Sequence, residues 1–128
     1  MARIMLCDDS RTILTLLEKK LTDAGHEVVG KANDGEEGVK LFASTKPDLA
    51  LLDITMPNKD GRECLRGILS LNPGAKTIMV SALQEESVVQ ECLKTGARAF
   101  ITKSKIYAND EDFKKNVLSV IENVLKAA

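Results

Sequence analysis

The chain has 128 residues, enough for one domain with a single core. Its charges nearly cancel, 18 basic against 19 acidic for a net of −1, which argues against a general nucleic-acid or membrane-binding surface. No apolar run approaches the roughly 20 residues needed to cross a bilayer, and the apolar stretch in "MARIMLCDDS" is too short for a secretory signal.

The elements follow in chain order. "RIMLC" is a short apolar strand that ends at "DDS". "SRTILTLLEKKLTDAG" sets Ile13, Leu14, Leu17 and Leu21 at helical spacing and stops at Gly25, a favoured residue just past a helix end. "HEVVGKA" is a weaker strand. "NDGEEGVKLFAST" is a helix, with Asn33 as its cap and Glu36 as the third residue of a capping box. "PDLALLD" is a strand, and "DGRECLRGILSL" a helix capped by Asp60 with Glu63 at its third position. "AKTIMVS" is a strand, "EESVVQECLKTG" a helix ending at Gly96, and "ARAFITK" the fifth strand. "NDEDFKKNVLSVIENVLKAA" closes the chain as a helix, with Phe113, Val117, Ile121, Val124 and Leu125 on one face. No low-complexity linker divides the chain, so residues 1–128 read as a single domain without an effector domain.

Strands alternating with helices predict an α/β protein, a parallel sheet covered on both faces. The continuous apolar runs "IMLC", "LALL" and "TIMV" fit strands buried on both sides. In such sheets ligands bind beyond the carboxyl ends of the strands. Asp8 and Asp9 follow strand one, Asp53 ends strand three, Ser81 strand four and Lys103 strand five. A parallel sheet brings all of them to one edge. Asp53 is otherwise hard to account for, since Asp is depleted in strands and costly to bury without a partner.

Three neighbouring carboxylates repel one another unless a hard cation sits among them. Mg²⁺ (or Mn²⁺) takes oxygen ligands and keeps some of its waters. A carboxylate can also act as a nucleophile toward phosphorus. The transferring phosphoryl group spreads charge over three oxygens: the metal can take one, Lys103 another, and Ser81 with a backbone N–H the third. The inventory fits phosphoryl transfer to Asp53, with Asp9 as direct metal ligand and Asp8 orienting a metal-bound water.

The motifs "DDS", "LLDITMP", Gly61, "VSA" and "FITK", at their spacing, are similar to those of the response-regulator receiver domains of two-component signalling, and most of all to the stand-alone chemotaxis regulators. The resemblance spans essentially the whole chain. It implies a flavodoxin-like (βα)5 fold, a doubly wound five-stranded parallel sheet of order 2-1-3-4-5. It implies phosphate received from a sensor histidine kinase or a small phosphodonor, self-catalysed phosphorylation and dephosphorylation rather than enzymatic turnover, and a metal site completed by the backbone carbonyl of Thr55. It also implies a switch: Ser81 moves toward the phosphoryl group, Phe100 turns inward, and the face of helix four, strand five and helix five binds a target. That target is a flagellar or archaellar switch in a chemotaxis pathway. In a phosphorelay it is a histidine phosphotransferase, recognised around helix one and the loop near Ser104. The expected protein is a cytoplasmic monomer.

Two features depart from the pattern. Ser104 follows Lys103 where many members carry Pro, so a trans peptide is expected there, because a cis bond before a non-proline costs about 2.5–4 kcal/mol. Leu83, two residues past Ser81, offers no hydrogen bond to an attacking water, which predicts slow loss of phosphate.

Plainer roles compete for several residues. Ser81 could cap helix four with Gln84 at its third position, Phe100 could be core, and Met56 and Cys7 read as packing, with Pro57 shaping the loop. His26 reads as a surface residue at a strand start, and Lys114 and Lys115 as a solvated face. Cys7, Cys64 and Cys92 lack any C-x-x-C spacing and read as reduced thiols. A flavin-binding protein would share the fold, but "DDSRT" would repel an FMN phosphate and aromatics are scarce, with no Trp. A P-loop fails because Glu36 and Glu37 stand where Lys and Ser/Thr are required. An Asp-nucleophile phosphatase needs a second Asp where Thr55 stands.

Overall fold

The computed structural model describes residues 1–56, 58–82 and 86–127. Five strands, β1 (Arg3–Cys7), β2 (Glu27–Ala32), β3 (Leu49–Asp53), β4 (Thr77–Ser81) and β5 (Ala99–Thr102), form one parallel sheet of order β2-β1-β3-β4-β5. The helices between them are α1 (Arg11–Asp23), α2 (Gly35–Thr45), α3 (Gly61–Leu71) and α4 (Glu86–Thr95). A last helical stretch, α5, joins Asp110–Phe113, a π-helical turn Lys114–Leu118 and Ser119–Lys126. This is the doubly wound, flavodoxin-like architecture expected from the sequence.

The two-residue period of the strands builds a core on each side of the sheet. Ile4, Leu6, Leu49, Leu51, Ile78, Val80 and Ile101 pack with Ile13, Leu14, Leu17 and Leu21 of α1 and Phe113, Val117, Ile121 and Val124 of α5. Met5, Cys7, Ala50, Leu52 and Met79 face the other way, toward Phe42, Cys64, Leu65, Ile68, Val89 and Cys92 of α2, α3 and α4. At about 1.5–3 kcal/mol for each fully buried aliphatic side chain, the four buried positions of α1 alone hold that helix to the sheet. Ser10 caps α1 by accepting from the Ile13 amide at 3.3 Å, and Gly25 takes the left-handed conformation beyond its end, φ +92°.

Some boundaries differ from the sequence reading. The cap of α2 is Asp34, not Asn33: Asp34 Oδ1 accepts from the Glu37 amide at 2.8 Å, and Glu37 rather than Glu36 reaches back, to the Asn33 amide at 3.2 Å. The carboxylate one place along wins because Asp caps as well as Asn does and the backbone at Asp34 is extended. Strand β5 stops at Thr102, and Lys103 opens a separate helical turn, Lys103–Ile106, that the sequence reading left as loop. No cis peptide occurs among the described residues, so the Lys103–Ser104 bond is trans, as expected. Helix α4 is described from Glu86 onward. The expectations resting on Pro57, Leu83 and Gln84 lie outside the described residues.

Candidate functional site

Register alone gathers the site. Cys7 pairs with Leu52, so Asp8 stands level with Asp53. Asp53 pairs with Val80, and Ser81 with Thr102, so Ser81 and Lys103 follow at the same edge. Asp53 is fully buried, Asp8 and Ser81 are each 3% exposed, and Asp9 is exposed. Asp8, Asp9 and Asp53 each offer an oxygen, all three within 4.8 Å of one another. Lys103 Nζ lies 3.0 Å from Asp53 Oδ1.

The electrostatics are unfavourable for bare carboxylates. Burial, then the charge of Asp8, pushes the Asp53 carboxyl up from 3.8 to about 7, against the opposing pull of Lys103. Asp8 is also raised, first by burial, although the Ser10 amide donates to its Oδ1 at 2.8 Å. Neither carboxylate oxygen of Asp53 has a hydrogen bond of good geometry among the described residues; the Lys103 approach is an ion pair. Buried acceptors without donors are rare and call for a ligand or ion. An all-oxygen set of three acids, one of them buried against an ammonium and short of hydrogen bonds, fits a hard divalent cation.

The loop after Asp53 is held from two sides. Gly61 donates its amide to Ile54 O at 2.7 Å. A Cβ on Gly61 would stand 2.3 Å from the Asp53 carbonyl oxygen, so only glycine lets α3 start this close to the strand end. On the other side, left-handed Asn58 (φ 65°) donates its side chain to Asp34 Oδ2 at 2.8 Å, and the Gly35 amide donates to Lys59 O at 2.9 Å. The cap of α2 thus braces the loop that carries Thr55, whose side chain is exposed. The sequence reading missed this brace; the signal was "PNKDG", a turn sequence in which Asn tolerates the left-handed region.

Phe100 is not core: it is 45% exposed, beside a hollow of about 220 Å³ whose lining includes Ser81, Val89 and Thr102. Met56 and Cys7 pack as expected, their sulfurs 3.5 Å apart, and all three cysteines are buried and free. His26 accepts the Ala2 amide through Nδ1 at 3.1 Å, at the opposite end of the sheet. A cavity of about 560 Å³ at that end, lined by Met1, His26, Asp48 and Lys76 among others, includes none of the acid cluster.

A family model described as the response regulator receiver domain matches residues 4–112. The chain belongs to the response-regulator receiver family. The chemotaxis protein CheY of Thermotoga maritima is 38% identical over 101 residues, 79% of this chain and 84% of that one. CheY of Listeria monocytogenes is 40% identical over 103 residues, 80% and 87% of the two chains. Among solved structures, the CheX–CheY–BeF3–Mg²⁺ complex from Borrelia burgdorferi superposes with a TM-score of 0.81 at 35% identity, over 93% of this chain and 88% of the matched one. Receiver domains are signalling proteins that bind Mg²⁺ at a cluster of acidic residues, and this chain carries such a cluster. No helix among the described residues is long and apolar enough to cross a membrane.

Proposed function

We propose that this receiver is a cytoplasmic, monomeric response regulator that accepts a phosphoryl group on Asp53 from a sensor histidine kinase and, while phosphorylated, binds a chemotaxis target through the face of α4, β5 and α5. The observation that carries this reading is the buried Asp53, short of hydrogen bonds, set against Asp8, Asp9 and Lys103 at the carboxyl edge of the sheet.

Asp8, Asp9, Asp53 and the Thr55 carbonyl would hold Mg²⁺, which when bound supplies positive charge to the crowded carboxylates and the incoming phosphoryl oxygens. The chain's own residues do the rest. An Asp53 oxygen attacks phosphorus and forms the new O–P bond. The N–P bond of the donor phospho-histidine breaks, and the imidazole nitrogen leaves with the electron pair and takes a proton. Lys103, already 3.0 Å from Asp53, neutralises charge on a phosphoryl oxygen, and Ser81 moves to donate to another. Its displacement opens the hollow beside it to Phe100. The half-exposed ring then turns in and reshapes the face of α4, β5 and α5 for a target protein. The chemotaxis assignment draws on the named CheY relatives.

Intact-mass spectrometry with a small phosphodonor tests the reading. One Mg²⁺-dependent phosphate per wild-type chain and none on Asp53→Asn is the expected result. Equal incorporation by the variant, or none by the wild type with either a small donor or a phosphorylated kinase, overturns it.

A further inference from the structure

Lys20 lies on α1, far in sequence from Lys103, yet its ammonium donates to two backbone carbonyls just past it, Ile106 O and Ala108 O, each at 2.9 Å. The same cation stands 4.6 Å from the centroid of the buried Phe113 ring. These bonds fall on the segment that directly follows Lys103. Lys103 is the first residue of the helical turn Lys103–Ile106, whose preceding residue, Thr102, makes no side-chain capping bond. The segment contains no proline, and its peptide bonds are trans. Ile106 anchors it by burial, but residues 104, 105 and 107 are exposed. Asn109 caps the start of α5, accepting from the Asp112 and Phe113 amides, and the two bonds from Lys20 tie the segment to α1 on the same flank of the sheet.

We propose that Lys20 is a positioning residue for phosphoryl transfer: by gripping the carbonyls of Ile106 and Ala108 it fixes the turn that sets the Lys103 ammonium against Asp53. The chemistry suits the task. An ammonium can satisfy two carbonyls at the end of a helical turn at once, and its charge opposes the partial negative charge there. Loosening the turn lets Lys103 drift, and a misplacement of about 1 Å in such a site can cost up to about 100-fold in rate. This inference rests on the phosphoacceptor reading of Asp53.

The test is a double-mutant cycle of Lys20→Met and Lys103→Met, read as the phosphorylation rate with a small phosphodonor at saturating Mg²⁺. Mg²⁺ affinity and thermal midpoint are measured alongside. Lys20→Met is expected to slow phosphorylation roughly 10-fold or more, with Mg²⁺ affinity within about twofold, since no carboxylate is touched. In the Lys103→Met background the same change has no further effect, because two residues acting through one group are not additive. Lys20→Arg, which keeps charge and donors, restores the rate. Full activity in Lys20→Met, or an equal loss whether or not Lys103 is present, overturns this proposal alone. A wild type that takes no phosphate overturns it together with the functional reading on which it rests.

Discussion

Removing the charge of Asp53 should stabilise the protein, and the gain should depend on pH and on metal. The carboxyl is fully buried, and its pKa rises from 3.8 to about 7 on folding. At about 1.4 kcal/mol per tenfold, that rise makes the ionised native state about 4 kcal/mol less stable than it would be with the group unperturbed. The sign follows from proton binding. Below about pH 4 the group is protonated in both states and costs nothing. Between pH 4 and 7 the native state keeps a proton that the unfolded chain has lost, so stability falls as pH rises. Above 7 the native carboxyl is ionised and the full penalty applies. Asn at position 53 removes the charge, while Lys103, whose side chain is 28% exposed, retains solvent for its ammonium. A buried amide and a lost ion pair offset part of the gain, so roughly 1–3 kcal/mol is expected for Asp53→Asn at pH 8 without metal. Urea unfolding followed by circular dichroism at pH 5 and pH 8 measures it. The difference should shrink at pH 5, and Mg²⁺ at 100 times its dissociation constant should return about 2.7 kcal/mol to the wild type, closing the gap. A variant no more stable than wild type at pH 8, or a gap of equal size at both pH values, would refute the reasoning.

Other outcomes follow from the same geometry. Lys103→Met removes the cation that opposes burial at Asp53, so the Asp53 carboxyl should titrate above the wild-type value of about 7 in a carbon-13 NMR titration. Gly61→Ala drives a methyl against the Asp53 carbonyl and should cost about 1–3 kcal/mol in urea, as overpacking does, and should lower Mg²⁺ affinity as the strand end shifts. Asp60 caps α3, its carboxylate accepting from the Arg62 and Glu63 amides at 3.0 and 3.1 Å. Burial raises its pKa, but those amides and the Arg62 guanidinium outweigh it and hold it below the usual value. Asp60→Ala should therefore cost about 1 kcal/mol at neutral pH, and the loss should fade as acid protonates the wild-type carboxyl.

The sequence carried the fold where a residue's own chemistry decided its place. Ile13, Leu14, Leu17 and Leu21 could lie only on a buried helix face, and "LALLD" only in a strand covered on both sides. The acid cluster was legible for the same reason: once the strands are parallel, Asp8, Asp9, Asp53, Ser81 and Lys103 have one edge to share. Contacts settled by competition between near-equal neighbours were less legible. Asn33 and Asp34 are both good caps, and backbone geometry, not residue type, chose Asp34. The turn Lys103–Ile106 was invisible because four residues carry too little periodicity to distinguish a helical turn from a loop. Nothing in the sequence singles out Lys20; its two bonds span 86 and 88 positions, a pairing that only the folded chain reveals.

The strain at Asp53 and the brace around it belong to one design. A carboxylate forced into the core, beside another acid and with one ammonium for support, is a site where added charge and added donors change the balance of states most. Its surroundings are held stiff where movement would waste that leverage: Gly61 locks the strand end to α3, and Asn58 and Gly35 tie the following loop to α2. On the opposite flank, the hollow between Ser81 and the half-exposed Phe100 leaves room for a side chain to move. On the proposed phosphoacceptor reading, a phosphoryl group on this under-satisfied acid would find its movable partners on the β4–β5 side. That asymmetry would give the proposed chemistry at Asp53 a direction in which to reshape the surface.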